Sequence, residues 1–203
     1  MTRTLMSALA LSGACLAFSN TAAAGGDLDW FYADAAYYDV DVRVGDSSGY
    51  GVEIAGSLED FGLPVFGMLE YVDLGYDDDH IVRLGSLTLG YAHAIGTDAL
   101  PASIYGGLHF DQIEIDDRPC CPDQDDSGVG IQLGFRGQLT SNLELHARSK
   151  YTQIDFLAED SELSFRLGGV YDVWGPLSAT FDYEQLTKLD QSFIQIGVRY
   201  DYR

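Results

Sequence analysis

The sequence is short of positive charge, cysteine, proline and helical periodicity, and each shortage removes a class of function. Only 11 Lys and Arg stand against 32 Asp and Glu, a net charge of −21 at pH 7. Nucleic acid is thereby excluded as a partner, because phosphate recognition needs a basic footprint. There are three cysteines. Cys15 lies in an apolar N-terminal segment, and Cys120 and Cys121 are adjacent, so no disulfide framework staples distant parts of the chain. Two cysteines cannot complete a tetrahedral thiolate shell, and neither a bound metal nor a resident cofactor is expected. A vicinal Cys120–Cys121 bridge that stiffens its loop, or an intermolecular bond, are the uses open to that pair outside the cytoplasm.

Long apolar runs are also missing once residue 18 is passed. Met1 to Arg3 make a short cationic start, residues 5–18 are apolar with small polar interruptions, and Ala22, Ala23 and Ala24 form a small-residue cleavage site. We therefore read residues 1–24 as a secretory signal peptide and residues 25–203 as one domain. A membrane helix is the weaker reading, because the run is too short for about 30 Å of hydrocarbon. Lipid attachment at Cys15 is the rival processing route, but Leu11 stands one place too far upstream for it.

What is present is alternation. Apolar residues recur with period two, glycines interrupt every candidate helix, and units of roughly ten alternating residues are separated by polar stretches. One parity holds the sets Tyr50, Val52, Ile54; Leu69, Tyr71; Leu87, Leu89, Tyr91; Ile104, Leu108, Phe110; Val129, Ile131, Leu133, Phe135; Phe165, Leu167, Tyr171; and Ile194, Ile196, Val198, Tyr200, Tyr202. The opposite parity holds Asp34, Glu53, Glu70, Asp111, Arg136, Arg148, Lys150, Arg166, Asp182, Glu184 and Arg199, with His109, Glu144 and His146 beside them. A soluble sandwich would also alternate, but it has no reason to gather its aromatics into two belts. Threaded up and down, Tyr37, Tyr50, Tyr71, Phe110, Tyr151 and Tyr183 fall at one end, and Tyr91, Phe135, Tyr171 and Tyr202 at the other. Rings collect at membrane interfaces in this way.

The expectation is an all-β, antiparallel, up-and-down transmembrane β-barrel of about ten strands, with eight as the alternative. Short turns near residues 59–63, 138–142 and 172–176 would be periplasmic, with a longer connection at 94–102. Segments 39–48, 73–80, 113–127, 155–162 and 187–191 would be outer loops. The backbone then satisfies itself by closure, and the apolar face meets outer-membrane lipid. The lumenal charges are expected to pair across the barrel, with Glu53, Glu70 and Asp111 facing Arg136, Arg148, Lys150 and Arg166, because buried charges are tolerated when paired and hydrogen-bonded.

The leader, the strand alternation and the terminal spacing Gln195-x-Gly197-x-x-Tyr200-x-Tyr202 together resemble the small bacterial outer-membrane β-barrel proteins with OmpA-like or OmpX-like transmembrane domains. The resemblance implies location in the outer membrane and recognition of Gln195, Gly197, Tyr200 and Tyr202 by the barrel assembly machinery; Arg203 departs from members that end on the aromatic residue. It does not fix function. A surface-exposed structural, adhesion or interaction protein with a side-chain-filled polar lumen and an unknown surface ligand is the first expectation. A narrow porin-like channel is the alternative, and an outer-membrane hydrolase the third. For the hydrolase, the candidates are Asp77, Asp78, Asp79 and His80 at a loop edge, and His146 near Ser149; the latter two have opposite strand parity and so cannot form an oriented pair. No enzymatic activity is expected. The acidic outer segments, lying among lipopolysaccharide phosphates, could hold Ca²⁺ or Mg²⁺ loosely through carboxylate oxygens.

Overall fold

The computed structural model describes residues 30–42, 45–58, 63–76, 80–97, 99–117, 124–154 and 161–202. Ten strands follow in order: β1 (Tyr32–Val42), β2 (Gly45–Leu58), β3 (Leu63–Tyr76), β4 (His80–Ala94), β5 (Ala102–Asp117), β6 (Gln124–Thr140), β7 (Leu143–Ile154), β8 (Glu162–Trp174), β9 (Leu177–Leu186) and β10 (Gln191–Asp201). Each pairs antiparallel with its neighbour, and β1 pairs with β10 from Tyr32↔Asp201 to Asp41↔Ser192, so the sheet closes. Ten strands replace the eight-stranded alternative. Closure removes both sheet edges, and every strand finds backbone partners on two sides without help from water.

The side-chain parity follows the sequence pattern around the whole circumference. Tyr50, Leu89, Leu133, Leu167 and Ile196 are exposed on the outside, with Leu133 at 65%. Glu53, Glu70, Asp111, Arg136, Arg148, Asp182 and Arg199 are buried on the inside. An apolar exterior around a charged interior inverts a soluble barrel and makes this a transmembrane β-barrel of the outer-membrane type.

The two ends differ. The start of β1, the end of β10 and the two-residue turns 141–142 and 175–176 lie at one end. Gly175 supplies a positive φ of 57° there, a conformation that a side chain would strain. Register shifts at Ser57/Leu58, Gln138/Thr140 and Asp172/Trp174 all fall at this rim, where bulges turn strands into connections. Short turns mark the periplasmic side. The connection after β4 is drawn tight by Ile95 N–H and Gly96 N–H donating to Ala102 O at 2.8 and 3.1 Å and by a Thr97↔Leu100 bridge.

At the outer end the expectation of long loops is corrected. Much of 39–48, 73–80 and 113–127 is strand: β1 and β2 stay paired to Val42↔Gly45, β3 and β4 to Tyr76↔His80, and β5 reaches Asp117. The reason lies in the outward face beyond the aromatic girdle, which turns polar while the ladder continues. Asp73, Arg83, Glu114 and Asp125 stand in register on four successive strands. Arg83 lies 3.4 Å from Glu114 and 3.8 Å from Asp73. These strands project past the lipid into water, where alternate polar side chains are solvated on the outside.

Candidate functional site

The lumen is built in three tiers, because the inward parity changes chemistry along the strands. At the periplasmic end it is aromatic. Trp30 stacks on Phe66 with centroids 4.3 Å apart, and Tyr105 meets both edge-on at 5.0 and 5.6 Å. Tyr32, Met68 and Ala55 complete this buried cluster. Glycines make the room: a Cβ on Gly90 would meet the Phe66 ring at 2.6 Å, and one on Gly134 would enter the space of the Tyr105 ring. Phe66 and Tyr105 each lie against a glycine of the neighbouring strand.

The middle tier is ionic. Arg136 donates to both carboxylate oxygens of Glu144, at 2.7 and 2.9 Å, and its guanidinium lies 4.6 Å from the Trp30 ring centre. Arg199 holds Asp34 through two bonds of 2.9 and 2.8 Å and sits 3.8 Å over the Tyr32 ring. Arg166 donates to Glu70 at 2.7 Å and to Glu184 at 2.7 Å. Arg148 reaches Glu70 at 3.3 Å, and both arginines stand 3.7 Å from Glu53, which accepts from Tyr32 Oη at 2.8 Å. Lys150 donates to Asp111 at 2.8 Å and to Ser86 at 3.1 Å. Thr152 donates to the other Asp111 oxygen at 3.0 Å, and His109 Nε2 lies 2.8 Å from Thr152 Oγ1. His146 pairs with Asp182. Such fork-like charged pairs are stronger than neutral hydrogen bonds and geometrically specific.

The eleven charges singled out in the sequence point into the lumen in separate groups: Arg136, Arg199 and Asp34 around Glu144; Glu53, Glu70 and Glu184 around Arg148 and Arg166; Lys150 with Asp111; and Asp182 with His146. The expected opposition is corrected in one respect: Arg136 does not face Glu53, Glu70 or Asp111 but pairs with Glu144 on the adjacent strand. Ser149 points away from His146, outward, so no Ser–His pair exists there. Gln195 faces inward and donates to Tyr38 Oη at 2.7 Å, whereas Tyr200 and Tyr202 are outward, their rings edge to face at 5.0 Å. Gly197 is packed against Ala35 O, where a Cβ would sit at 2.5 Å. Cys120 and Cys121, the Asp77–Asp79 run and the leader lie outside the described residues. Among the described residues no group of three His, Cys, Asp or Glu side chains is placed to hold a metal ion.

The outer tier was not read from the sequence. Val40, Val72, Leu74 and Phe193 are buried inside the barrel there, with Val82, Leu84 and Leu186 packed on them. All of these but Val40 line a cavity of about 300 Å³ that reaches down to Glu70, Asp111, Arg148, Lys150, Arg166 and Glu184. A signal did exist. Val72 and Leu74 on β3, Val82 and Leu84 on β4, and Ile113 and Ile115 on β5 are apolar at inward parity, so the alternation fails locally on three neighbouring strands.

No family model matches the chain, and no curated protein matches it. Among solved structures, it is similar to the translocator domain of the autotransporter NalP from Neisseria meningitidis, at 12% identity and a TM-score of 0.46 over 98% of this chain and 97% of that one. It is also similar to the NanC porin, at 11% identity and a TM-score of 0.47 over 84% of this chain and 100% of that one. The N-terminal β-barrel domain of Pseudomonas aeruginosa OprF is matched at 16% identity and a TM-score of 0.37, over 86% and 100%. These are similarities of barrel architecture.

Proposed function

We propose that this protein is a non-conducting outer-membrane barrel that serves as a structural and interaction scaffold at the cell surface. One observation carries the reading: the periplasmic half of the lumen is filled by the Trp30–Phe66–Tyr105 stack and the ion pairs above it. A pore needs a continuous polar path, and such a path would have to displace stacked rings whose burial and pairing favour the closed state. Residues 1–24 act as the export signal in this reading, and Gln195, Gly197, Tyr200 and Tyr202 as the segment read by the assembly machinery. The acidic outer segments face lipopolysaccharide, with Ca²⁺ or Mg²⁺ bridging carboxylates to phosphates, and present the face that a surface ligand would meet.

The test is electrical. Protein folded in a planar bilayer should pass no steady current, while a Trp30→Ala, Phe66→Ala, Tyr105→Ala variant shows single-channel steps. Steady steps from the native chain would establish the narrow channel instead. For the bridging cations, a melting temperature lowered by chelator in lipopolysaccharide-containing membranes, and lowered less when Asp77, Asp78 and Asp79 are changed to Asn, is the expected result.

A further inference from the structure

The β9–β10 turn, residues 187–190, is held by more than its own hairpin. The β9–β10 ladder ends at Gln191↔Leu186, and beyond it the turn is gripped from β8. Glu162, of inward parity and 6% exposed, accepts from Leu163 N–H at 2.9 Å and from Lys188 N–H at 3.0 Å through Oε1, and from Leu189 N–H at 3.0 Å through Oε2. Thr187 adds two bonds to the β8 backbone, its N–H and its hydroxyl donating to Leu163 O at 3.0 and 2.9 Å. Lys188 Nζ donates to Ser161 Oγ at 2.8 Å.

The inward position of the carboxylate decides where the turn goes. Backbone N–H groups aimed at a side chain inside the barrel draw the turn over the rim, and Leu189 accordingly lines the outer cavity with Leu186, Gln191 and Phe193. Leu189 is also 39% exposed, so it stands at the mouth, with water on one side and the cavity on the other. The bent turn carries strain as well. Asp190, with a φ of 52°, is the one non-glycine residue of positive φ among the described residues, and such a conformation persists where its surroundings hold it. Here the holding bonds converge on one carboxylate, and bonds to a charged acceptor are stronger than neutral ones.

We propose that the β9–β10 turn is a strap that gates the outer cavity. Latched by Glu162, it covers the mouth on the β8–β10 side; unlatched, it relaxes outward and opens the cavity to the medium. Glu162 is the latch because its two oxygens join β8 to successive N–H groups of the turn. The device does not rest on the scaffold reading above, since a closed and a conducting barrel could carry it equally.

The test is the reaction rate of a cysteine in the cavity. Leu84→Cys is placed on the β4 wall of residues 25–203, with Cys120 and Cys121 changed to Ser, and the barrel is folded in detergent micelles and treated with a charged, water-soluble methanethiosulfonate. Asp73→Cys, on the outer face, is the exposed reference. With the latch intact, Leu84→Cys should react at least about tenfold more slowly than Asp73→Cys. Glu162→Ala should speed Leu84→Cys about tenfold, the worth of one hydrogen bond to a charged group, and leave Asp73→Cys unchanged. Glu162→Gln, which keeps one acceptor oxygen and loses the other, should fall between. Circular dichroism verifies folding. If Glu162→Ala does not fold, Leu189→Gly, which leaves the latch and removes the side chain at the mouth, should still speed Leu84→Cys. Equal rates for Leu84→Cys and Asp73→Cys with the latch intact overturn the proposal. So does a Leu84→Cys rate that neither Glu162→Ala nor Leu189→Gly changes, or an Asp73→Cys rate that rises in step with it.

Discussion

The two ends of the lumen are made from the same ten strands and the same inward parity, yet one is packed with aromatic rings and the other surrounds a cavity. At the periplasmic end, large rings lie over glycines of the next strand, as Phe66 does over Gly90 and Tyr105 over Gly134. At the outer end an aliphatic wall takes their place, and Val82, Leu84 and Leu186 line the cavity. The difference teaches that a ring laid on a glycine across a strand boundary fills lumenal space. Medium-sized aliphatic residues on β3, β4 and β5 leave a cavity. The ionic tier between them serves both, as lid to the aromatic cluster and floor to the cavity.

The sharpest break of this arrangement is at the shared tier. Arg166→Met should leave Glu53, Glu70 and Glu184 short of a cation, and removing one partner of a buried pair costs about 3 to 5 kcal/mol. Urea unfolding in lipid vesicles would show it as a lower midpoint. The comparison of the ends comes next. Phe66→Ala removes a fully packed ring and should cost about 3 to 5 kcal/mol, whereas Leu84→Ala, already beside a cavity, should cost less than about 2 kcal/mol. Equal costs would mean that the two ends are packed alike.

The lipid-facing side gives a smaller effect. Leu133→Arg puts a charge on the exposed face and should cost about 2 to 4 kcal/mol. Inward parity alone suggests that its neighbour Gln132→Arg would be tolerated, but Gln132 is 1% exposed with neither amide atom partnered, so an arginine there should be at least as damaging. Ile115→Arg, at the outer cavity, is the inward substitution expected to be borne. The smallest effect belongs above the girdle, where Arg83→Ala should change stability by about 0 to 1 kcal/mol, less at high salt, because the Asp73–Arg83–Glu114 ladder is exposed to water.

Closure of the sheet decided for ten strands over eight, while the sequence by itself determined that the chain is a barrel, which residues face out and which charges share the interior. These are properties of period and parity, which each strand carries locally, because a pleated strand sends successive side chains to opposite faces whatever its neighbours are. Only the tertiary structure decided who meets whom. That Arg136 takes Glu144, that Arg166 is shared by Glu70 and Glu184, that Trp30 stacks on Phe66 at one end and that a cavity remains at the other all depend on register and on strands far apart in the chain. Glu70 and Arg166 are separated by 96 residues. Their encounter is set by the closure of the sheet, which fixes which inward side chains share a level, and no local pattern records it.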